Sequence, residues 1–448
     1  MTDTKMVKLG RRNFIGGGAA MLGVGALGMN AWAEMAKHPL AGTTLPKWEK
    51  GHFRISMLYT GSAEASFLVF PDGTSMLIDC GDYRCCGVPA LPNASRRAGD
   101  WTARYVLREN PNGRKVDYFV LSHYHSDHAG GLPFNAGRSA NGKYSISGIG
   151  QAIDMLDFTT FIDRSWPNMD DPAPRADKFD DWTVKHLKEV YAEAERRGIK
   201  IERFRLEKGS DQIRQLHGGG GKFSFTPLCA RGEILKRDGT VLDLGKLGRP
   251  RSKFDENEMS IGFVLSFGDF RYFTAGDFQG GVKGVDGKRV EIEDILAAEC
   301  PQVDVAKANH HGHHSMPDKL VNALHARVVL AGVWDLEHMT RDTVRRLAKG
   351  GWPCLYAPGL LPEKRRKEDA AEAWMKDVAP ESFVGAHAVV DVAPDGKSYR
   401  LMMVTAADES FRVLGAYDFK TSAGATGSSM YCVKGESEKT LHGSESGC

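Results

Sequence analysis

His123-Tyr124-His125-Ser126-Asp127-His128 places three imidazoles and a carboxylate within six residues. Neutral imidazole suits zinc and its first-row neighbours, and a carboxylate beside it can serve a second ion. Further groups of the same kind occur later: Asp277 in Thr274-Ala275-Gly276-Asp277, and the pair His310-His311 in Asn309-His310-His311-Gly312-His313-His314. A lone histidine is ordinarily a surface or packing residue, and His38, His52, His325 and His442 are read that way. A structural zinc site would close on four ligands, commonly with cysteine. This set offers more donors than one ion needs, with only Cys80 nearby as a thiol. The expected chemistry is therefore catalytic: a bound divalent ion lowers the pKa of its water to about 7, and the hydroxide attacks phosphorus or a carbonyl carbon.

Each group should follow a strand, because functional side chains sit on loops held by a rigid base. The apolar run Val116 to Leu121 feeds the first cluster, and Ala129-Gly130-Gly131 turns out of it. Upstream, strands are predicted at Phe53 to Tyr59, Ser66 to Phe70 and Ser75 to Ile78, the third ending at Asp79-Cys80-Gly81-Asp82. Downstream, strand-like segments at 158–162, 199–206, 223–228, 260–266, 271–274 and 303–306 alternate with helices. Val184, Leu187, Tyr191 and Ala194 recur at helical spacing from Asp181 to Arg197, ahead of Gly198. Other helices are predicted over Trp101 to Arg108, Pro317 to His325 and Arg341 to Lys349. Residues 135–175 and 230–255 read as insertions that could form lids or substrate loops.

The pattern H-x-H-x-D-H, here HYHSDH, resembles that of the metallo-β-lactamase fold hydrolases, and the likeness extends from about Phe53 to Leu414. Gly61-Ser62-Ala63-Glu64-Ala65-Ser66-Phe67-Leu68-Val69, Leu77-Ile78-Asp79-Cys80-Gly81 and Glu256-Asn257-Glu258-Met259-Ser260 look like the hydrolase domain of competence proteins of the DNA-uptake type. Secreted phosphodiesterases are similar too. The resemblance implies an α/β fold, a four-layer αββα sandwich with a two-metal site on one edge. It assigns His123 and His125 to the first ion, Asp127 and His128 to the second, Asp277 to both, and one of His310 and His311 to the second. Asp127 and Asp277 become the catalytic carboxylates, and the two divalent ions are zinc, with manganese or iron as alternatives. Asp79 matches a carboxylate that braces the histidine loop through hydrogen bonds.

Many members carry another histidine between the cluster and the bridging aspartate. Here only His186, inside a predicted helix, and His217, before Gly218-Gly219-Gly220-Gly221, are available, so the first ion has fewer protein ligands. Competence-type relatives tend to lack this ligand as well. His338 and His387 are candidates for substrate contact or proton donation at the rim. Lys307 and Asn309 flank the histidine pair, but strand alternation turns both away from His310.

Arg11-Arg12-Asn13-Phe14-Ile15 leads into a Gly- and Ala-rich stretch ending at Ala31-Trp32-Ala33, which resembles a twin-arginine signal cleaved after Ala33. The stretch is a poor membrane span, and no later segment qualifies. The expected organisation is a signal at 1–33, a linker at 34–52, a hydrolase domain at 53–415 and a flexible Gly- and Ser-rich tail at 416–448. Lys5, Lys8, Arg11 and Arg12 account for the formal charge of +2, so the body is near neutral and gives no support for nucleic-acid binding. The expected location is the periplasm, reached as a folded chain through the twin-arginine export machinery, with no stable membrane span after cleavage. Of eight cysteines, Cys85 and Cys86 adjoin the site loop, while Cys229, Cys300 and Cys354 read as small buried residues. The expected substrate is a small molecule with a phosphoester or phosphodiester bond. Rival readings are hydrolysis of a lactam, lactone or other acyl bond, a mononuclear iron oxidoreductase, and a non-catalytic metal-binding protein.

Overall fold

Short apolar runs become the central strands because they are buried on both faces and too brief for a stable helix; the edge strands at 200–203 and 241–243 are partly exposed. Six come first: β1 (Phe53–Met57), β2 (Ser66–Val69), β3 (Ser75–Ile78), β4 (Lys115–Val120), β5 (Asp157–Asp163) and β6 (Lys200–Arg203). Next are β7 (Phe223–Ala230), β8 (Glu233–Leu235), β9 (Val241–Asp243), β10 (Gly262–Phe267) and β11 (Phe270–Thr274). A separate ribbon, β12 (Gly281–Lys283) and β13 (Arg289–Glu291), precedes β14 (Val305–Lys307), β15 (Val328–Leu330) and β16 (Cys354–Leu355). The chain then returns to the first sheet as β17 (Ala386–Val392), β18 (Ser398–Thr405) and β19 (Val413–Lys420). One sheet has the order β19-β18-β17-β1-β2-β3-β4-β5-β6, and the other β16-β15-β14-β11-β10-β7-β8-β9. The computed structural model describes residues 35–83, 88–131, 136–171, 178–219, 221–283, 287–335, 337–349, 354–355 and 386–422. The expected signal, Cys85, Cys86, Cys432 and Cys448 lie outside them.

Side-chain alternation decides the layers. Tyr118 and Val120 of β4 join Phe53, Ile55, Phe263 and Leu265 in the core between the sheets. Phe119 and Leu121 point the other way, to Val106 of α1 (Ala98–Glu109), the loop that ends in α2 (Ser126–Ala129), Ile153 of α3 (Ile149–Met155) and Leu187 of α4 (Lys178–Arg196). Leu296 of α5 (Ile292–Ala297), Leu320 of α6 (Asp318–Leu324) and Leu347 of α7 (Arg341–Lys349) pack with the second sheet's core. The result is the α/β fold expected, an αββα sandwich. Each fully buried Leu, Ile or Phe contributes about 1.5–3 kcal/mol.

Two parallel pairs position the site. β3 lies beside β4 with Ile78 opposite Val120, and β11 beside β14 with Phe273 opposite Ala306. The loops after these four strands carry Asp79, the His123–His128 cluster, Asp277 and the histidine pair, and they meet at one edge.

The expected boundaries need correction at both ends. Met35 and Leu45, in the expected linker, are buried, and Thr44 bridges to Arg412. β19 runs past the expected domain end at 415 to Lys420, and the Ser422 N–H donates to Asp304 Oδ1 at 2.7 Å. The alternation of Tyr417 and Phe419 with Ala416 and Asp418 suited a half-buried edge strand, and its polar residues hid it. The two expected insertions also hold regular structure: α3 and β5 in the first, the β8–β9 hairpin in the second. Among the described residues, no helix is long and apolar enough to cross a membrane.

Candidate metal centre

The histidine loop is held along its backbone by two neighbouring loops. Cys80 N–H donates to His128 O at 2.8 Å, Asp82 N–H to Ser126 O at 2.9 Å and Glu64 N–H to Asp127 O at 2.7 Å. This approach requires glycine at 81, where a Cβ would fall 1.5 Å from the Asp127 carbonyl oxygen. Asp79 adopts φ 58, His310 φ 45 and His311 φ 53. Left-handed backbone in such residues is strained and persists where surrounding bonds enforce it, commonly at functional loops.

Hydrogen bonds behind the rings assign the nitrogens. Asp79 accepts from Ser122 N–H and Oγ–H, each at 2.7 Å, and from His128 Nδ1 at 2.7 Å. With its proton given to Asp79, Ser122 Oγ accepts from His123 Nδ1 at 3.0 Å. Glu64 Oε2 lies 3.0 Å from His311 Nδ1, an ion-pair contact off the line of a hydrogen bond. His123, His128 and His311 therefore all present Nε2 toward Asp277 Oδ2, at 4.0, 3.1 and 3.2 Å respectively. Asp127 Oδ2 is 3.1 Å from His311 Nε2 and 3.7 Å from His128 Nε2, while His123 Nε2 is 3.1 Å from His125 Nδ1.

These spacings fit metal binding. Ligands about 2.0–2.1 Å from a tetrahedral ion stand roughly 3.3 Å apart. Asp127, His128, Asp277 and His311 form a closed set of that size, able to hold one ion. His123, His125 and Asp277 form a second, open set beside it.

Charge reinforces the fit. Burial works against ionised Asp277, but His128, His311 and Lys307 hold its pKa well below the usual range. Burial likewise opposes protonation of His128 and His311, yet the surrounding carboxylates, Asp277 foremost, raise both well above normal. With only protein charges in play these histidines carry protons, so a metal must displace them. His123 goes the other way: burial and the His128 charge lower it well below normal, leaving a neutral donor.

The histidine pair divides in two. His311 joins the closed set, whereas His310 Nε2 lies 3.4 Å from Asn257 Nδ2 and burial lowers its pKa to about 3. His338 stacks on His311 with ring centroids 4.5 Å apart and forms a wall of the centre. His387 is not brought to the ligand set; its Nδ1 accepts the Tyr59 N–H at 3.0 Å and its ring packs on Tyr105. His217 pairs with Asp117 at 3.1 Å near the start of β4, the end away from the site. His186 is buried in α4 outside the set, its pKa lowered to about 4 by burial. Cys80 is buried, and burial raises its thiol far above normal, so it is no thiolate ligand. Cys229 and Cys300 are buried free thiols.

Glu64 was missed as a site residue, and Lys307 was wrongly turned away from the site. Glu64 stands within ligand range of His128, Asp277 and His311, and Lys307 Nζ lies 3.1 Å from Asp277 Oδ1. Alternation failed for Lys307 because β14 ends there and the chain leaves extended backbone before reaching His310. A lysine ending an apolar strand was itself a signal, since lysine is almost never fully buried unpaired.

A two-sheet sandwich with a buried cluster of imidazoles and carboxylates at strand ends defines a class of metal-dependent hydrolases. The metallo-beta-lactamase superfamily model matches residues 59–202, which carry Glu64, Asp79 and the histidine cluster. The chain is accordingly an enzyme, a hydrolase of the metallo-β-lactamase fold. Asp277, Lys307 and His311 lie beyond the matched segment and complete the centre from the second sheet. A comparison with curated proteins finds no match.

Proposed function

We infer that the protein is a periplasmic two-metal hydrolase of phosphoesters or phosphodiesters. The observation carrying this reading is the charge around Asp277. Buried Glu64, Asp79 and Asp277, with the partly exposed Asp127, gather four carboxylates around the centre, and the Lys307 ammonium pairs with Glu64 and Asp277. With neutral imidazoles, one divalent ion leaves that pocket negative, while two bring it to neutral even with their water ionised, so that an anionic ester is no longer repelled. A neutral lactone or lactam gains nothing comparable.

The closed set, Asp127, His128, Asp277 and His311, would hold one ion, and His123, His125 and Asp277 the other. Zinc suits these nitrogen and oxygen donors, with manganese or iron as alternatives. Bound divalent ions would supply an activated water near neutral pH and neutralise charge on the ester oxygen. The chain's part is positional: Asp79 fixes the His128 tautomer, Ser122 that of His123, and the His338 ring packs over His311. Resemblance to competence-type hydrolase domains and secreted phosphodiesterases supports the substrate class. The Arg11-Arg12 leader supports twin-arginine export.

Metal analysis of the purified chain, with a panel of a chromogenic phosphodiester, a phosphomonoester, a β-lactam and a lactone, tests the reading. Two ions per chain and fastest turnover of a phosphoester are expected. Faster turnover of the lactone or β-lactam, or phosphodiester cleavage that survives metal stripping, would sink it. Replacing Arg11 and Arg12 by lysine should hold the protein in the cytoplasm on fractionation.

A further inference from the structure

Lys307 has a buried side chain whose ammonium meets three oxygens: Gly276 O at 2.6 Å, Glu64 Oε1 at 3.0 Å and Asp277 Oδ1 at 3.1 Å. The ammonium donates to Gly276 O and Asp277 Oδ1 and is paired with the Glu64 carboxylate, so its charge is spent inside the protein. Glu64 reaches Lys307 through Oε1 and His311 Nδ1 through Oε2, at 3.0 Å. Its backbone is fixed too: its N–H donates to Asp127 O at 2.7 Å, and its carbonyl accepts from Gly81 N–H at 3.1 Å.

The pair therefore acts on two ligands of the closed set at once. Lys307 occupies one oxygen of Asp277, leaving Oδ2 to face the histidines. Glu64 occupies one nitrogen of His311, leaving Nε2 to face Asp127 and Asp277. Replacing both partners of a buried ion pair by well-packed apolar residues often costs little stability, so packing alone gives no strong reason for the pair here. We propose that Glu64 and Lys307 are positioning residues: they orient Asp277 and fix the His311 tautomer, and thereby make the closed set bind its ion more tightly than the open set. The proposal rests on the two-ion reading above. Glu64 acts through Lys307 and His311 and not as a ligand.

Co2+ titration of the full chain, followed by d–d absorption, tests this on wild type, E64Q, K307M and the double variant. Wild type takes up two equivalents in two steps. E64Q and K307M each weaken the tighter step by about 10–100-fold and alter its absorption band, leaving the weaker step unchanged. The double variant is no worse than the weaker single, because the two residues work as a unit. A merely structural pair lowers the melting temperature of the metal-free chain but leaves affinity and spectrum of the folded protein intact; that result overturns the proposal. So does loss of the tight step in E64Q but not K307M, since Glu64 would then be a ligand. If these variants do not fold, E64D keeps the charge and withdraws it by one methylene; wild-type affinity in E64D overturns the proposal, and a weakened tight step supports it. Wild type that takes up no Co2+ overturns the two-ion reading instead.

Discussion

In the closed set, four donor groups stand 3.1–3.7 Å from their neighbours, whereas in the open set His123 meets His125 at 3.1 Å and Asp277 only at 4.0 Å. The anchoring differs as well. The closed set is fixed at its side chains, by Asp79 on His128, Glu64 on His311 and Lys307 on Asp277. The open set has only a neutral hydroxyl, Ser122 Oγ, behind His123 at 3.0 Å, and its loop is tied at Tyr124: Glu256 Oε1 accepts the Tyr124 N–H at 2.9 Å, Arg164 grips Glu256 at 2.7 and 2.9 Å, and Tyr124 Oη–H donates to Asp163 at 2.6 Å. Closed coordination retains an ion, and open coordination leaves room for water and substrate. On the two-ion reading, rigidity and reactivity fall on opposite sides of Asp277.

On that reading Asp277 is shared by both sides, so its loss should erase the difference. D277A is expected to lower kcat/KM by at least about 10³-fold, since the chemistry depends on several kcal/mol of metal stabilisation. Full activity in D277A on the best substrate would mean the two sets do not cooperate. The backbone anchor of the open side is tested by R164M, which strands Glu256 without its cation. Breaking a buried pair this way costs about 3–5 kcal/mol, read by denaturant unfolding of metal-free protein. R164M should also loosen the weaker metal equivalent while sparing the tighter one.

The ligands themselves give a smaller, more selective contrast. H311N should cost the tighter equivalent at least about 10–100-fold in affinity, the scale set by loss of an outer partner. H125N should do the same to the weaker one, and H310N should change neither. Metal content after dialysis against a graded chelator separates the three. Equal losses in H125N and H311N would dissolve the closed and open distinction.

How much of this could be read from the chain follows from how local each piece is. HYHSDH is legible because its donors share one loop, and Asp79 and Asp277 are legible as strand-end carboxylates. The strands feeding them are apolar runs whose bounds hold to within a few residues. The choice between His310 and His311 was not legible, because it depends on left-handed backbone at both residues, and no pattern of side chains encodes that. Glu64 and Lys307 were hidden for another reason. They become partners only when the loop before β2 meets the end of β14, a contact between residues far apart in sequence. The last two strands were obscured by Arg400, Asp418 and Lys420, which belong to a solvent-facing edge of the sheet.

The scaffold behind the closed side carries its own signature in pH. Glu293 Oε1 accepts the Asn309 side-chain N–H at 2.9 Å and the Met316 N–H at 3.0 Å, bracketing the loop that presents His311. Burial raises its pKa to about 8, against an ordinary 4.5, so the folded chain keeps a proton the unfolded chain has lost. A raised folded pKa means stability present in full below about pH 4.5 and lost as pH rises through 8. The slope approaches about 1.4 kcal/mol per pH unit where the folded carboxyl is protonated and the unfolded one ionised. E293Q retains the accepting oxygen and removes the titration, so its stability relative to wild type should grow from pH 5.5 to 8 and then level off. Denaturant midpoints of both proteins across that range measure it. Parallel curves would show Glu293 ionised in the fold, and the loop behind the closed set would then be held by a charge and not by a neutral acid.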